Sequence, residues 1–388
     1  MKIKVNKHLI PGTKLFTEFF ESEKSGGLVL IACTIISLVL ANSIFSAEYI
    51  HFWHTNFQGQ PIEYWINDGL MTIFFLLIGL ELEREVYDGE LSNIKNALLP
   101  IFGAIGGMIV PAGIYLYFNY GTSTQAGAGI PMATDIAFAL GILSLLGNRV
   151  PTSLKIFLTA LAVIDDLGAI LVIALFYTKT IFWTNLSIAM GIFVVLLILN
   201  RLKVRNLIPY LILGVAMWYF MLNSGVHATI TGVLLAFAIP FGNGDSKSTS
   251  IILQHFLHKP VAFIILPIFA LANTAIIMDL EMKEIITEHY SIGIALGLIV
   301  GKPVGIFILS LLAVKLGICK LPSDLSWSSI FGVGFLGGIG FTMSIFVTLL
   351  AFDDIVIINH AKIIILLSSL IAGVVGFVSL KFVLKTVK

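Results

Sequence analysis

Four charged residues stand out because they lie inside long apolar stretches of the chain. They are Asp135, Asp165, Asp166 and Lys302. Each charge near the centre of a bilayer costs roughly 2.5–3.5 kcal/mol, so the four together cost about 10 kcal/mol or more. Charges kept at that cost face water, pair with one another or handle an ion. These residues are therefore the first candidates for function.

The adjacent pair Asp165 and Asp166 has the chemistry of a cation site. Neighbouring residues on a helix point about 100° apart, so both carboxylates can border one cavity. Hard cations such as Na⁺ and Li⁺ prefer carboxylate, hydroxyl and carbonyl oxygens, and Thr134 with the unwound backbone near it can supply the neutral ligands. Coupled acids titrate as a pair, so protons and metal ions would compete for the same oxygens. The alternative is a buried, neutral, hydrogen-bonded pair.

The composition indicates a membrane protein. Mean hydropathy is +1.00, and only 12% of the residues are charged, about half the share in a soluble domain. The net charge of +1, with no basic tract, gives no indication of nucleic-acid binding. Cys33 and Cys319 form no disulfide framework or metal cluster, and nothing in the sequence implies a cofactor.

Apolar stretches of about 20 residues predict an all-α polytopic membrane protein with twelve transmembrane helices in a single transporter domain over 1–388. With the N-terminus in the cytoplasm, the predicted outer side carries Lys179, Lys283 and Lys362, Lys302 is buried, and all other basic residues lie inside. This asymmetry favours an even helix count with both termini cytoplasmic. The predicted spans are 26–45, 65–87, 96–118, 123–146, 152–177, 181–200, 206–222, 225–240, 259–278, 290–314, 327–350 and 358–381.

Two of the predicted spans contain helix-breaking residues. The fourth holds Gly127, Gly129 and Pro131 before Thr134, and the eleventh holds five glycines between 332 and 340. Each is the second helix of a three-helix group, which predicts inverted repeats over 96–177 and 290–381 whose interrupted helices cross at mid-membrane. Asp135 would then offset the positive helix ends and Lys302 the negative ones. Close helix packing through small residues is the alternative.

Two further segments differ from ordinary spans. Residues 11–25 mix Leu and Phe with Lys and Glu, which predicts an interfacial amphipathic helix on the inner surface or a solvated helix start. Residues 46–64 form the longest outer loop, in which 49–54 followed by 58–61 predicts a hairpin. The exposed edge of such a hairpin could pair with a second copy and make a homodimer.

Several segments, in order along the chain, closely resemble the signature sequences of NhaA-type sodium/proton antiporters. The resemblance extends from about Phe16 to Lys381. The segments are 75–81 (FLLIGLE), 134–141 (TDIAFALG), 164–170 (IDDLGAI), 224–229 (SGVHAT), 266–273 (LPIFALAN), 300–305 (VGKPVG) and 337–345 (GGIGFTMSI).

The resemblance implies a twelve-helix homodimer in the inner (cytoplasmic) membrane. It implies electrogenic exchange of Na⁺ or Li⁺ for a larger number of protons, which would regulate cytoplasmic pH and sodium. It further implies that Asp165 and Asp166 carry ion and proton, and that Asp135 and Lys302 serve the broken-helix assembly, with Lys302 able to pair with Asp165.

The resemblance also implies a pH sensor at the cytoplasmic mouth. Matching residues are Glu81, Arg84 and Glu85 at the end of the second span, with His255 and His258 before the ninth. Histidine titrates near neutrality, which suits a pH gate, although solvated loop histidines are the alternative. This sequence departs from the family pattern at two positions. Gln254 stands where an acid is frequent, and Glu83 where a base is frequent. His227, opening the eighth span, is read as a packing residue or a regulator.

Other functions fit the residues less well. A sodium-coupled solute symporter is the main alternative, although no solute pocket is evident. An intramembrane aspartyl protease needs two acids on separate helices, whereas Asp165 and Asp166 share one. A passive channel is disfavoured because buried titratable acids beside a lysine trap ions. The sequence therefore predicts a transporter and not an enzyme.

Overall fold

The computed structural model describes residues 11–177, 180–242, 248–278 and 282–384. In this part of the chain nearly all regular structure is helical, as the long apolar stretches predict. The α-helices, in chain order, are α1 Pro11–Ala41, α2 Ser46–His54, α3 Ile62–Trp65, α4 Met71–Tyr87, α5 Ile94–Asn119, α6 Ile136–Ser144, α7 Thr152–Phe176, α8 Trp183–Arg201, α9 Leu207–Leu222, α10 Ile230–Ala238, α11 Thr249–Pro260, α12 Leu266–Asn273, α13 Met282–Thr287, α14 His289–Leu296, α15 Lys302–Lys315, α16 Trp327–Gly337, α17 Phe341–Ala351 and α18 Ile355–Val383.

Shorter helical turns connect some of these helices. Three π turns join α3 to α4, α11 to α12 and α14 to α15, and three 3₁₀ helices complete the described helical structure. The π turns are Ile66–Leu70, Val261–Ile265 and Gly297–Gly301, and the 3₁₀ helices are Glu90–Ser92, Gln125–Met132 and Gly147–Arg149.

Among the described residues, eight continuous helical segments are long and apolar enough to cross a membrane, or up to ten if each of two bent pairs is one span. The segment over α8 is buried for only 11% of its most apolar window, so most of its apolar surface faces outward, as expected in lipid. The chain is therefore an all-α polytopic membrane protein. The twelve-span count stays a prediction, because α9 has only 16 residues and α10 only nine.

The N-terminal part of the fold differs from the sequence prediction. Helix α1 is one uninterrupted helix of 31 residues, so the segment 11–25 is not a separate helix. Its predicted position on the inner surface depends on side chains 11–24, which lie outside the described residues. Lys179 and the two ends of the chain, 1–10 and 385–388, also lie outside the described residues.

The predicted hairpin within 46–64 is present but shorter. Strand β1 (Asn56–Phe57) pairs antiparallel with β2 (Gln60–Pro61), and the turn residues Gln58 and Gly59 both have positive φ, as a two-residue hairpin turn requires. The segment 49–54, predicted as a strand, instead belongs to α2. A helix places Tyr49 and Trp53 on one face, where their rings meet edge to face at 5.9 Å.

The predicted start of the ninth span was also wrong. The helix begins ten residues earlier than expected, at Thr249, so His255 and His258 lie on α11 and not in a loop. The π turn Val261–Ile265 follows Pro260 directly and carries the helix on into α12, despite the N–H that proline lacks.

Helices α5 and α15 approach each other so closely at Gly106 and Gly305 that neither position has room for a Cβ atom. A Cβ atom added to Gly106 would lie 2.1 Å from the carbonyl oxygen of Gly305, and a Cβ on Gly305 would lie 2.1 Å from the carbonyl oxygen of Gly106. Both contacts are with backbone, which cannot rotate away. This packing fixes α15, which begins with Lys302, against α5.

Replacing Gly106 by Ala should therefore force α5 and α15 apart. Overpacking of this kind typically costs about 1–3 kcal/mol, so we expect a lower Tm of the detergent-solubilised protein. Gly113→Ala on the same helix is the matched control, because no atom lies within 4 Å of its added Cβ. Equal melting temperatures for the two variants would contradict this account of the packing.

Candidate functional site

Two pieces of non-helical backbone meet at the candidate site. The 3₁₀ helix Gln125–Met132 ends before three residues, 133–135, and α6 begins at Ile136. Helix α16 ends at Gly337, and α17 begins at Phe341 after a 48° bend. The backbone N–H of Asp135 donates to the carbonyl oxygen of Ile339 at 2.7 Å, so the two connecting segments are hydrogen-bonded to each other.

Asp135 lies between two helix N-termini. One oxygen, Oδ1, accepts from the N–H of Phe138 at 3.0 Å and so caps α6. The other, Oδ2, accepts from the backbone N–H of Thr342 at 3.1 Å and from its hydroxyl at 2.5 Å, in the first turn of α17. Asp135 is 2% exposed. A carboxylate here stabilises both positive helix ends at once.

The carbonyl oxygens at the opposite helix ends also have polar partners. Lys302 Nζ donates to the carbonyl oxygen of Met132, the last residue of the 3₁₀ helix. The Thr134 hydroxyl lies 2.8 Å from the carbonyl oxygen of Gly337, the last residue of α16. The ammonium thus satisfies one carbonyl that a helix end leaves free. The hydroxyl, whose single proton is shared with Asp165, lies within hydrogen-bonding distance of the other carbonyl.

Lys302 and Thr134 converge on the same oxygen of Asp165. Lys302 Nζ donates to Asp165 Oδ2, and the Thr134 hydroxyl lies 2.8 Å from that atom. Lys302 follows the π turn Gly297–Gly301, and Asp165 lies in the middle of α7. All three side chains are fully buried. The structure therefore brings together Thr134, Asp165 and Lys302, which the sequence singled out from three distant segments.

Asp166 is the residue of the site with no hydrogen bond to its carboxyl group. Asp166 Oδ1 and Oδ2, together with Asp165 Oδ1, are buried and have no hydrogen-bond partner among the described residues. Buried acceptors without partners are costly, because their interactions with water are lost and not replaced. Three such oxygens from adjacent residues form a donor set suited to a cation or to protons.

The residues predicted to sense pH lie on two helices, α4 and α11. Glu81 Oε1 is 3.8 Å from His258 Nδ1, and both side chains are largely buried. Arg84 pairs instead with its neighbour Glu85 at 2.7 Å, and His255 is exposed. For His258, burial excludes the alternative of a solvated loop histidine.

A small cavity lies between the Glu81–His258 pair and the start of α6. Its volume is about 20 Å³, room for one water molecule. Besides Glu81 and His258, its lining includes Ile136 and Ala137, the first two residues of α6. The pair therefore lines a cavity together with the helix that Asp135 caps.

The two residues that depart from the family pattern lie beside this pair. Ser250, Gln254 and His258 are spaced four residues apart on α11, so they share one face. The Ser250 hydroxyl donates to Glu83 Oε2 at 2.8 Å, and Glu83 is 5% exposed. Gln254 is also buried. His227 lies elsewhere, with Nε2 2.9 Å from the carbonyl oxygen of Tyr177.

Sequence reasoning missed several polar contacts around the site. The Ser344 hydroxyl donates to the carbonyl oxygen of Ile130 at 2.7 Å, and the Ser369 hydroxyl accepts from the N–H of Phe341 at 3.1 Å. Ser344 is a single serine and Ser369 follows Ser368, both in apolar helices, so only their polarity within a predicted span could have marked them. Lys362, predicted on the outer side, is 4% exposed.

The comparisons with known proteins agree with one another. The family model described as Na⁺/H⁺ antiporter 1 matches residues 17–380. A protein of Flavobacterium psychrophilum named Na(+)/H(+) antiporter NhaA is 78% identical over 373 residues, which is 96% of this chain and 97% of that protein. Relatives from Flavobacterium johnsoniae (Na(+)/H(+) antiporter NhaA 1) and Dechloromonas aromatica (Na(+)/H(+) antiporter NhaA) are 65% and 60% identical, over 97% and 95% of this chain and 99% and 96% of theirs. The chain therefore belongs to the Na⁺/H⁺ antiporter 1 family.

Proposed function

We propose that this protein exchanges Na⁺ or Li⁺ from the cytoplasm for protons, with Asp165 and Asp166 as the binding site for ion and proton. The observation that carries the proposal is the set of three buried carboxylate oxygens that have no partner among the described residues. Protons and a hard cation compete for such oxygens, and this competition couples the two fluxes. Family membership makes the chain a transporter, not an enzyme, and gives no support to the solute symporter alternative.

Lys302 and Thr134 hold Asp165 in position for this exchange. When a cation binds between the two acids, Asp165 Oδ2 can remain bonded to Thr134 while Lys302 Nζ retains the Met132 carbonyl oxygen as a second acceptor. Lys302 therefore neutralises Asp165 in the ion-free state and leaves it to the ion in the bound state. Asp166, which has no such partner, supplies both of its oxygens to the ion or holds a proton.

We also propose the twelve-span arrangement, with inverted repeats over 96–177 and 290–381. In it, the 3₁₀ helix with α6 forms the fourth span and α16 with α17 the eleventh, crossing at mid-membrane. Asp135 compensates the two N-terminal ends and Lys302 the C-terminal ends. The contacts of Asp135 with Ile339 and Thr342 support this arrangement.

The exchange is proposed to be electrogenic, in the inner membrane and with both termini cytoplasmic. If more protons enter than Na⁺ ions leave, each net charge gains about 2.3 kcal/mol per 100 mV from the membrane potential. The potential then drives sodium out against its gradient and acidifies the cytoplasm. The exposed edge of the β1–β2 hairpin is the proposed contact between two copies in a homodimer.

Regulation by pH is proposed to act through Glu81 and His258, with Arg84, Glu85 and His255 around them at the cytoplasmic mouth. A protonated His258 attracts Glu81 and holds α4 against α11. The small cavity that both residues share with Ile136 and Ala137 supports transmission of this contact to α6.

Replacing Asp166 by Asn should abolish exchange, because the amide neither releases a proton nor balances a cation. The measurement is the collapse of a respiration-generated pH gradient in everted vesicles after addition of NaCl, LiCl, KCl or choline chloride, from neutral to alkaline pH. Na⁺ and Li⁺ should collapse the gradient in the unmodified protein, and KCl and choline chloride should not. Asp324→Asn, at an exposed loop position, is the control. Sodium-dependent collapse in the Asp166 variant would refute the site.

Thr342→Val should destabilise the protein, because Asp135 loses one of its charge-assisted hydrogen bonds. Such bonds contribute about 1.5–3 kcal/mol, so we expect a clear drop in Tm together with weaker exchange. Thr348→Val is the matched control on the same helix, since its hydroxyl donates only to the backbone of Ser344. If both variants melt alike, Asp135 does not depend on Thr342.

His258→Gln should extend activity toward lower pH. A protonated imidazole attracts Glu81 more strongly than a neutral one, so the inhibited state that this contact stabilises is favoured at lower pH and is lost in the variant. The pH of half-maximal exchange, measured in everted vesicles, should therefore fall. His51→Gln, at an exposed position on α2, should leave it unchanged. An unaltered pH profile for the His258 variant would exclude this pair as the sensor.

A further inference from the structure

A lysine and a glutamate near the predicted outer surface are not used by the proposed ion site. Lys362 Nζ lies 3.8 Å from Glu63 Oε1, and their side chains are 5% and 21% exposed. The second oxygen, Glu63 Oε2, lies 3.6 Å from His54 Nδ1, but that histidine is 55% exposed. Exposed pairs contribute little, so the contact with the buried lysine dominates.

These residues line a cavity of about 270 Å³. Its walls come from α2, from α3, from the end of α12 and from the first turns of α18. Trp53, Ala272 and Asn359 line it together with Lys362 and Glu63. The indole N–H of Trp53 is buried and has no partner among the described residues. The cavity is thus a mainly apolar pocket whose wall carries the Lys362–Glu63 pair and an indole N–H without a partner among the described residues.

The pair joins α18, in the proposed second repeat, to α3, which lies outside the repeats. Helix α18 packs on α14, α16 and α17, which belong to the proposed second repeat. Glu63 is on α3, which continues through a π turn into α4, and α4 packs on α10 and α11. The Lys302–Asp165 pair lies inside the repeats and the His258–Glu81 pair outside them. Lys362–Glu63 connects the repeats with the helices outside them.

We propose that Lys362 and Glu63 form the outer gate of the transporter. Their attraction holds α18 against α3 while the ion site is closed to the outside. The contact must separate for the outer cavity to open toward Asp165 and Asp166. A buried ammonium that loses its carboxylate is strongly disfavoured unless water reaches it. Separation therefore requires hydration of the cavity, and this links opening to ion access. The inference rests on the proposed exchange, and it adds that the repeats move against the other helices when the ion site opens to the outer side.

Cysteine labelling from the outer side tests the gate. The reporter is Ala272→Cys, a cavity-lining residue that is 4% exposed, in a parent protein with Cys33 and Cys319 replaced by Ser. The probe is a membrane-impermeant thiol reagent added to right-side-out vesicles. Lys362→Gln and Glu63→Gln should each accelerate labelling about ten-fold, as expected for a half-buried pair. The charge-reversed double variant Glu63→Lys with Lys362→Glu should return the rate to within about two-fold of the parent.

The controls separate the gate from general damage. Lys381→Gln changes a lysine at the other end of α18 and should leave labelling unaltered. Parent-like labelling of Lys362→Gln and Glu63→Gln overturns the proposal. Acceleration that the charge reversal fails to restore, in a variant that is folded by size-exclusion chromatography, also overturns it. If the reversed variant does not fold, parent-like labelling of either single variant is sufficient to reject the gate.

Failure of the gate and failure of the ion site remain distinguishable. Exchange by Asp166→Asn in everted vesicles refutes the ion site whatever the labelling rates. A silent Asp166→Asn combined with parent-like labelling of Lys362→Gln refutes only the gate.

Discussion

Backbone groups released inside a membrane must find partners within the protein, because lipid offers none. This constraint governs the centre of the molecule. The chain leaves helical geometry after Met132 and again after Gly337, and the two non-helical segments lie next to each other. The N–H of Asp135 bonds to the carbonyl oxygen of Ile339, and the Thr134 hydroxyl reaches that of Gly337. The side chains of Asp135 and Lys302 then complete what backbone alone cannot satisfy.

The same arrangement sorts the buried charges by role. Asp135 is balanced by two helix N-termini and Asp165 by Lys302, so both carboxylates have hydrogen-bonded partners in this structure. The carboxyl group of Asp166 has no such partner among the described residues. In the proposed exchange, Asp166 therefore carries a proton or faces a mobile cation.

Much of the candidate site could be anticipated from sequence. The charges of Asp135, Asp165 and Lys302 stand out against apolar surroundings, and Gly and Pro mark the places where helices stop. The inverted repeats expected from sequence predict that the two interrupted helices cross, and therefore that these charged residues lie close together. The pairing of Lys362 with Glu63 could not be anticipated, because the sequence indicates only that Lys362 lies on the predicted outer side and Glu63 within the predicted outer loop 46–64. Nor could the helix over 46–54, whose aromatic residues suit a strand equally well by propensity. The position of His258 on a helix was missed because the polar residues Gln254, His255 and Lys259 lower the hydropathy at the start of that helix.

The π turn Gly297–Gly301 has a consequence for how the chain tolerates insertions and deletions. A π turn holds one residue more than an α-helical turn, without altering the helix on either side. Deleting one residue from this turn should therefore convert it to α geometry and leave the helices on both sides in place. Both neighbours are held by α5, because an added Cβ on Gly293 of α14 or on Gly305 of α15 would collide with that helix. The turn itself would then absorb the deletion, and Lys302 would keep its place beside Asp165. The surplus residue of the turn is thus one that the chain can lose without moving the lysine.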